Sequence, residues 1–231
     1  MIRFASSALL ILLTLALIAG CSGEGEKEEP KVDVKKSTVP WEITPEFSKE
    51  PLDAFRHPVR DNNNPFVTLE TTMGSMTLEL YHDVAPAHVD SFVARTMDGH
   101  YDSTLFHRVV EHFMIQGGGF NVEGQYKQIG YMLADEHSKL PHYEGTLSMA
   151  RTARPNTAGT QFFVCLNRNQ YTTSLDNQYT VFGQLIKGYD VLHAIGAAKV
   201  ERQPGGGEES KPVEKIILLK AYVSDADGNP M

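Results

Sequence analysis

The chain from Phe66 onward is a succession of short apolar runs separated by turn residues. Each run has four to eight residues, with Gly, Asn, Asp or Pro between them, as in LFHRVV, HFMIQG, GTLSMA, TQFFVCL and YTVFGQLI. Short β-type runs at near-regular spacing favour an antiparallel barrel or sandwich, because such strands pair through tight turns. The ~165 residues involved are ample for one buried core and short for two. We therefore expect one mainly β domain over residues 66–231.

Both ends of this domain are predicted to be strands. Phe66–Leu69 and Ser75–Leu80 are β-type runs joined by ETTMG, in which Gly74 suits a tight hairpin connection. At the other end, VEKIILLKAYV supplies a closing apolar strand, and the preceding PGGGEESKP has the composition of a polar loop. The domain should therefore begin with a hairpin and end with a strand.

Two segments have the periodicity of helices. In Ala87–Met97 the apolar side chains recur at helical spacing, Pro86 precedes the segment, and Gly99 follows it. Proline is tolerated at the start of a helix, and glycine commonly ends one. Lys187–Ile195 is compatible with a second, shorter helix that ends before Gly196. We expect these two helices to pack against the sheet.

The first residues have the pattern of an export signal. An apolar run, Ala8–Ala19, follows a single arginine, and no acidic residue precedes Cys21. Such a run with small residues at its end is typical of a cleaved signal and not of a spanning helix. Residues 17–21, LIAGC, resemble the bacterial lipobox, in which cleavage exposes a cysteine that becomes acylated. We predict a lipoprotein signal peptide over residues 1–20 and a lipid on Cys21; the alternative is an ordinary signal with an incidental cysteine.

Residues 21–65 are predicted to be a lipidated acidic tether. From Ser22 to about Pro40 the chain is mostly Glu, Lys, Gly, Ser and Pro, which is typical of a solvated linker. Freely coiled, the tether would span roughly 35 to 40 Å. Its second half carries the apolar side chains that would allow it to dock on the domain: Trp41, Ile43, Phe47, Leu52 and Phe55.

Charge and cysteine content narrow the classes of partner. The formal net charge is −8, and removal of residues 1–20 with their one arginine makes the mature chain still more acidic. An acidic chain without a basic stripe disfavours nucleic acid as a partner, because phosphate binding requires clustered cations. Cys165 is the second of the 2 cysteines, so acylation of Cys21 leaves it no partner for an intramolecular disulfide.

Three motifs suggest other chemistry but do not fit the required patterns. Gly117–Gly119 is not followed by Lys-Ser/Thr or by a helix start, which argues against a P-loop or a dinucleotide site. His107 and His112 have neither the HExxH spacing nor that of a zinc finger. Ser148 lacks the Gly-x-Ser-x-Gly motif of a nucleophile elbow. We therefore expect no metal, no cofactor and no serine nucleophile.

The segment FHRVVEHFMIQGGGF, residues 106–120, resembles the strand-turn-strand signature of the cyclophilin-type peptidyl-prolyl isomerases. Further blocks follow in the order of that family: GTLSMA and PNTAGTQFFV within residues 145–164, and LDNQYTVFGQL at residues 175–185. The resemblance extends over about residues 66–223. It implies a closed eight-stranded antiparallel barrel capped by two α-helices, with an active groove on the outer face of the barrel. It also implies a peptidyl-prolyl cis-trans isomerase.

The resemblance assigns roles to individual residues of this chain. Arg108 corresponds to the catalytic arginine, and Gln116 to the glutamine that orients it and meets the substrate backbone. Tyr179 occupies a position where many members have histidine. The pocket for the proline ring corresponds to Phe113, Met114, Phe163 and Leu175. The neighbouring groove, which takes the rest of the peptide, corresponds to Ala150, Arg151 and Gln161.

An arginine suits this reaction for a chemical reason. Delocalisation of the nitrogen lone pair gives the X-Pro bond a rotation barrier of ~18 to 20 kcal/mol. In the twisted transition state the lone pair localises on nitrogen and becomes an acceptor, which a cation with several donors can bind there and not in the planar ground state. Arg108 stays charged at every relevant pH. No acid, base, nucleophile or metal is required.

These observations predict a lipid-anchored isomerase that assists the folding of exported proteins. Its partners would be proline-containing polypeptides and the membrane that holds the lipid on Cys21, and we expect a monomer. Ser22 is not the aspartate that commonly signals inner-membrane retention, so the outer membrane facing the periplasm is favoured in a two-membrane bacterium. Two alternatives remain: a module that binds proline-containing peptides without turnover, and an envelope scaffold that recruits a partner through residues 41–55 or the acidic tether.

Overall fold

The computed structural model describes residues 63–127, 129–205 and 207–231. The predicted signal peptide, Cys21 and the tether up to residue 62 lie outside these residues. The last residues of the predicted tether already contact the sheet, since the buried Asn64 donates a hydrogen bond to the Glu79 carboxylate (3.1 Å).

The predicted N-terminal hairpin is confirmed. Strands β1 (Phe66–Thr71) and β2 (Gly74–Leu80) pair in antiparallel register. Gly74 has a φ of +125°, a conformation that residues with a Cβ rarely adopt, and an added Cβ would lie 2.6 Å from Val191 Cγ2. The Thr71 hydroxyl closes the turn by donating to Gly74 O (2.7 Å). Turn geometry and packing therefore both require glycine at this position.

The described residues form one large antiparallel sheet and one small one. Besides β1 and β2, the large sheet contains β3 (Thr104–Leu105), β4 (Arg108–Val110), β5 (Met114–Gly117), β6 (Thr146–Met149), β7 (Phe162–Cys165), β8 (Val181–Lys187) and β11 (Ile217–Ser224). Its nine strands lie in the order β3-β11-β1-β2-β8-β6-β7-β5-β4. The small sheet pairs β9 (Val200–Arg202) with β10 (Glu209–Pro212).

The fold prediction is correct in class and wrong in strand number and closure. The large sheet is a curled nine-stranded half-barrel and not a closed eight-stranded barrel, because β3 and β4 end the strand order without pairing with each other among the described residues. These strands are successive pieces of one segment that changes partners at Phe106 and His107. The Phe106 amide donates to Ile216 O (2.9 Å), and the His107 amide donates to Gln116 O (3.1 Å).

The segment PGGGEESKP is a loop only in its first half, contrary to the prediction. Its second half is strand β10, in which Glu209 pairs with Arg202 and Pro212 pairs with Val200. Ser210 and Pro212 are the buried residues of β10, and the others are exposed. A strand with this little apolar surface has no alternating pattern for sequence reasoning to detect.

The described residues form three helices, where two were predicted for the domain. Helices α1 (Pro86–Met97) and α3 (Tyr189–Gly196) lie close to the predicted segments, and α2 (Gln170–Thr173) is an additional single turn. A capping box starts α2: the Asn169 side chain accepts from the Thr172 amide (3.2 Å), and the Thr172 hydroxyl accepts from the Asn169 amide (2.8 Å). Four residues are too few for a helical period to show in the sequence. None of the helices in the described segments has the length and apolar character needed to cross a membrane.

An aromatic cluster joins helix α1 to the large sheet. Phe92 of α1 is fully buried, and its ring centroid lies 4.9 Å from Tyr101, 5.4 Å from Phe162 and 5.3 Å from Phe182. Tilted and edge-on contacts of this kind add to the free energy gained from burying the rings. A single side chain therefore connects the helix to β7, to β8 and to the segment that precedes β3.

Replacement of Phe92 by alanine tests this connection. We expect Phe92→Ala to lower the free energy of unfolding by about 3 to 5 kcal/mol, because it removes a fully buried ring and leaves a cavity. The measurement is chemical denaturation followed by circular dichroism. Met97→Ala is the matched control on the same helix, since Met97 is 75% exposed and should matter by less than about 0.5 kcal/mol. Similar losses in the two variants would contradict the assignment of Phe92 as the main contact.

Candidate active site

The hairpin formed by β4 and β5 has two chemically different faces. Arg108 pairs with Gln116, and Val109 pairs with Ile115. Val109 and Ile115 are 0% exposed and belong to the main core. Because successive strand residues point to opposite sides, Arg108 and Gln116 lie on the outer face of the sheet. An arginine fits within this apolar strand because its side chain never enters the core.

Nine of the ten residues predicted for the site line one cavity of about 190 Å³ on that outer face. They are Arg108, Phe113, Met114, Gln116, Ala150, Arg151, Phe163, Leu175 and Tyr179. The tenth, Gln161, lines an adjoining cavity that shares Gln116, Ala150 and Arg151 with the first. The predicted residues therefore form one continuous surface, although they come from four separate stretches of the chain.

The Arg108 guanidinium is held on two sides. Its Nη1 donates to Gln116 Oε1 (3.2 Å) and lies 3.7 Å from Met114 Sδ. Its Nε and Nη2 donate to the two carboxylate oxygens of Glu208, at 2.8 and 3.1 Å. The cation also lies 5.9 Å from the centroid of the Phe113 ring. Sequence reasoning did not find Glu208, which is 100 positions from Arg108 along the chain.

The amide of Gln116 connects the cation to the adjoining groove. While its oxygen accepts from Arg108, its nitrogen donates to Gln161 Oε1 (2.9 Å). Gly119 makes room for this arrangement, because a Cβ there would lie 2.5 Å from Gln161 Cγ. With both ends of the amide engaged, Gln116 has one preferred orientation, and that orientation presents its oxygen to Arg108.

The apolar part of the cavity is a cluster distinct from the main core. Phe163 meets Tyr179 edge-on at a centroid distance of 5.9 Å. The Arg151 guanidinium lies 4.7 Å from the centroid of the Tyr179 ring and donates to Gln178 O (2.7 Å). The aromatic wall is therefore held by a cation–π contact as well as by packing. The buried members of the cluster are Met114, Phe163, Cys165 and Leu175.

A polar network that the sequence did not indicate supports the floor of this cavity. The His142 ring stacks on Phe163 at a centroid distance of 5.9 Å, with the ring planes 13° apart. His142 Nδ1 lies 3.1 Å from the Asp176 carboxylate, and Arg168 donates to both oxygens of that carboxylate, at 3.0 and 2.7 Å. Burial of Asp176 alone would raise its pKa, but the hydrogen bonds from Arg168 and His142 outweigh it, and the pKa lies below its ordinary value.

The network includes Ser148 but does not form a hydrolase site. His142 Nε2 lies 3.0 Å from Ser148 Oγ, which gives the Ser-His-Asp order of a catalytic triad. Ser148 is however 0% exposed, and its hydroxyl donates to Thr180 O (2.8 Å), so no substrate reaches it. The described segments also contain no group of three or more His, Cys, Asp or Glu side chains placed to hold a metal ion.

Comparison with known proteins gives the family. The profile described as cyclophilin type peptidyl-prolyl cis-trans isomerase/CLD matches residues 66–223. A peptidyl-prolyl cis-trans isomerase of Acinetobacter baylyi is 34% identical over 163 residues, covering 69% of this chain and 86% of that protein. The isomerase cyp18 of Streptomyces antibioticus is 37% identical over 163 residues, covering 68% of this chain and 97% of its own.

The chain belongs to the cyclophilin-type family. A solved cyclophilin of Cryptosporidium parvum, crystallised in the presence of the dipeptide Ala-Pro, has a TM-score of 0.58 and 27% identity to it. The likeness covers 69% of this chain and 99% of that one. The predicted family and the predicted peptidyl-prolyl cis-trans isomerase activity of this cyclophilin are both confirmed. The individual roles assigned to the site residues stay predictions.

Two histidines of this cyclophilin, His107 and His142, should make its stability depend on pH. Burial lowers the pKa of His107 from 6.5 to about 4 and also lowers the pKa of His142. On acidification these histidines bind protons in the unfolded chain before they do so in the folded protein. Their contribution to the free energy of unfolding is therefore fully present above about pH 6.5 and is lost as the pH falls towards their lowered pKa values. We expect the melting temperature to decrease as the pH is lowered from about 6.5 to about 4. Thermal unfolding followed by circular dichroism at a series of pH values makes the measurement.

Variants at single histidines separate this effect from general acid sensitivity. His107→Gln should melt with a shallower pH dependence than the parent protein over the same interval, because one of the shifted groups is gone. His112→Gln is the control, since the His112 side chain is 77% exposed. Parallel pH dependences for His107→Gln and the parent protein would rule out His107 as a source of the slope.

Proposed function

We propose that this cyclophilin isomerises X-Pro bonds in exported polypeptides, with Arg108 as the catalytic cation, while a lipid on Cys21 anchors it in the bacterial cell envelope. The observation that carries the catalytic part is the position of the Arg108 guanidinium. It lines the cavity together with apolar side chains, within hydrogen-bonding distance of Gln116 and 5.9 Å from the centroid of the Phe113 ring.

The cavity suits a proline ring because part of its lining is an apolar cluster and the oriented Arg108 guanidinium lies beside that cluster. Met114, Phe163 and Leu175 present buried carbon and sulfur surfaces that favour a saturated ring over water. A ring seated there would bring its imide nitrogen to the Arg108 guanidinium. The hydrogen bond would form only when twisting of the X-Pro bond has localised the lone pair on that nitrogen, so it would stabilise the transition state selectively.

Two features of the surroundings of Arg108, its partial burial and its restraint, strengthen this interaction. The Arg108 side chain is 30% exposed and is bordered by Phe113 and Met114, so water screens its charge less than it would on an open surface. Gln116 and Glu208 hold the guanidinium on two sides, and the donors are therefore oriented before the substrate arrives. Preorganised donors avoid the free energy of reorganisation at the moment of reaction.

The adjoining groove provides a path for the polypeptide on either side of the proline. The second cavity shares Gln116, Ala150 and Arg151 with the first and continues to Gln161. We expect an extended peptide to cross both cavities, with proline against the apolar cluster of the first one. The solved relative from Cryptosporidium parvum, studied with an Ala-Pro dipeptide, supports proline-containing peptides as the substrate class.

Removal of Arg108 tests the catalytic role. We expect Arg108→Ala to lower kcat/KM for an Ala-Pro peptide by about 100- to 1000-fold, which is the range for loss of one charge-stabilising donor. The melting temperature should change little, because the side chain lies outside the core. Arg95→Ala, on helix α1 and paired with Asp98, is the control for removal of an arginine elsewhere. Wild-type turnover in Arg108→Ala would refute the mechanism.

The proposed envelope location rests on the sequence of the first residues. The apolar run, the LIAGC segment and the tether after it are the features expected of a lipoprotein. Acyl chains on Cys21 would hold the protein at a membrane, because each buried methylene contributes ~0.8 kcal/mol. With Ser22 after the cysteine, we propose the outer membrane, facing the periplasm, as the location in a two-membrane bacterium.

Substitution of Cys21 tests the anchor. In cells, Cys21→Ser should either release the protein from the membrane fraction or leave the signal peptide uncleaved, because serine accepts no lipid. Fractionation with mass spectrometry of the mature N-terminus makes the measurement. Ser22→Ala should remain acylated and serves as the control. A parent protein that begins at an unmodified Cys21 with a free amine would exclude the lipoprotein proposal.

A further inference from the structure

Glu208 contacts the catalytic cation from outside the nine-stranded sheet. It lies in the turn of the β9–β10 hairpin, and its carboxylate accepts from Arg108 Nε at 2.8 Å and from Arg108 Nη2 at 3.1 Å. Two parallel hydrogen bonds between a guanidinium edge and a carboxylate fix both the distance and the plane of the guanidinium. The contact is therefore geometrically demanding as well as electrostatic.

The two partners of Arg108 take different parts of its guanidinium. Glu208 occupies the edge made by Nε and Nη2, whereas Gln116 accepts from Nη1. An arginine side chain has several rotatable bonds, and restraint on one side alone would leave it free to swing. With restraints at both places, the second hydrogen of Nη1 meets only the weak acceptor Met114 Sδ at 3.7 Å, and the outer hydrogen of Nη2 has no acceptor among the described residues. These two hydrogens are the donors left for a substrate at the cavity.

The hairpin that carries Glu208 is itself attached next to Arg108. The side chain of Gln203 donates from Nε2 to His107 O (3.3 Å) and to Ser210 Oγ (3.0 Å). Its backbone N–H donates to Glu208 O (3.1 Å). Ser210 is 0% exposed. The backbone of Glu208 is thus fixed relative to the start of β4, and its carboxylate is not a freely moving surface group.

The charge state of Glu208 is consistent with a lasting ion pair. The hydrogen bonds from Arg108 hold the pKa of the Glu208 carboxyl below its ordinary value, against the smaller opposing effect of burial. The contribution of this ion pair to folding stability is therefore present at neutral pH and is lost as the pH falls through the lowered pKa of Glu208. Near neutrality the carboxylate remains charged and keeps both hydrogen bonds.

We propose that Glu208 is a positioning residue for the isomerase reaction, holding the Nε–Nη2 edge of Arg108 so that the remaining hydrogens of Nη1 and Nη2 are directed at the prolyl nitrogen. This inference rests on the catalytic role proposed for Arg108. Glu208 does not touch the substrate. Its effect is on the fraction of time that the cation spends in the productive orientation.

Positioning and charge neutralisation by Glu208 would have opposite effects on the rate. A carboxylate beside the cation weakens the field that stabilises the transition state, whereas a restraint on its orientation increases the frequency of productive alignment. The bidentate geometry and the fixed backbone of Glu208 favour restraint as the larger effect, because misplacement of a catalytic group by about 1 Å can cost as much as 100-fold in rate. A mutation that removes the carboxylate should therefore lower kcat if restraint of Arg108 is the larger effect, and raise kcat if charge neutralisation is.

The test compares Glu208→Gln with Glu209→Gln in otherwise full-length protein. Glutamine at 208 keeps the length of the side chain but has one acceptor oxygen, so the bidentate contact is lost. Glu209 is the matched control, since it is the next residue in the same hairpin and pairs with Arg202 at 3.4 Å instead of with Arg108. We expect Glu208→Gln to lower kcat by about 10-fold with KM within about two-fold, and Glu209→Gln to change neither.

Three further measurements exclude a merely structural effect. Glu208→Asp retains the charge and should recover part of the lost kcat. Circular dichroism and melting temperature should be the same for the two glutamine variants. In an Arg108→Ala background, Glu208→Gln should have no additional effect on kcat/KM, because its influence passes only through the arginine.

The possible outcomes separate this inference from the proposed function. An unchanged or increased kcat in Glu208→Gln would overturn the positioning role, and an increase would indicate that the carboxylate suppresses the cation. If Arg108→Ala is impaired while Glu208→Gln is not, only the inference fails. If Arg108→Ala turns over at the wild-type rate, the catalytic role of Arg108 fails first.

Discussion

The pairing of β4 with β5 is the interaction on which the site depends. It buries Val109 and Ile115 in the core and leaves Arg108 and Gln116 on the opposite face. Burying the guanidinium itself would cost several kcal/mol of desolvation. The alternation of strand side chains avoids that cost, because the backbone of the arginine is held by buried neighbours while its charge stays at the surface. Core packing and the candidate active site thus use opposite faces of one hairpin.

Local patterns in the sequence were sufficient to predict much of this structure. The helical spacing around Phe92, the turn at Gly74 and the block of residues 106–120 each depend on neighbours close in the chain, and the structure has the corresponding elements. Nine of the predicted site residues share one cavity because the family blocks that contain them come together in the fold. The site residues could be named from the sequence because each lies in one of these blocks.

The missed features depend on contacts between distant or weakly patterned segments. The ion pair of Arg108 with Glu208 joins positions 100 residues apart, and the stacking of His142 on Phe163 joins two residues on separate segments. Helix α2 is a single turn, and the β9–β10 strands carry few apolar side chains. Strand number was missed because one segment changes partners at Phe106 and His107, and sequence patterns identify strands but not their partners.

The β9–β10 hairpin has a consequence for how such an enzyme can vary. These strands pair only with each other among the described residues, so the nine-stranded sheet does not need them to complete its own ladder. Most of their side chains are exposed, and substitutions at such positions usually change folding stability by less than about 0.5 kcal/mol. Substitutions in this hairpin would therefore alter the setting of the Arg108 guanidinium, the proposed catalytic cation, while the nine-stranded sheet stays the same. Related enzymes could diverge in rate without diverging in architecture.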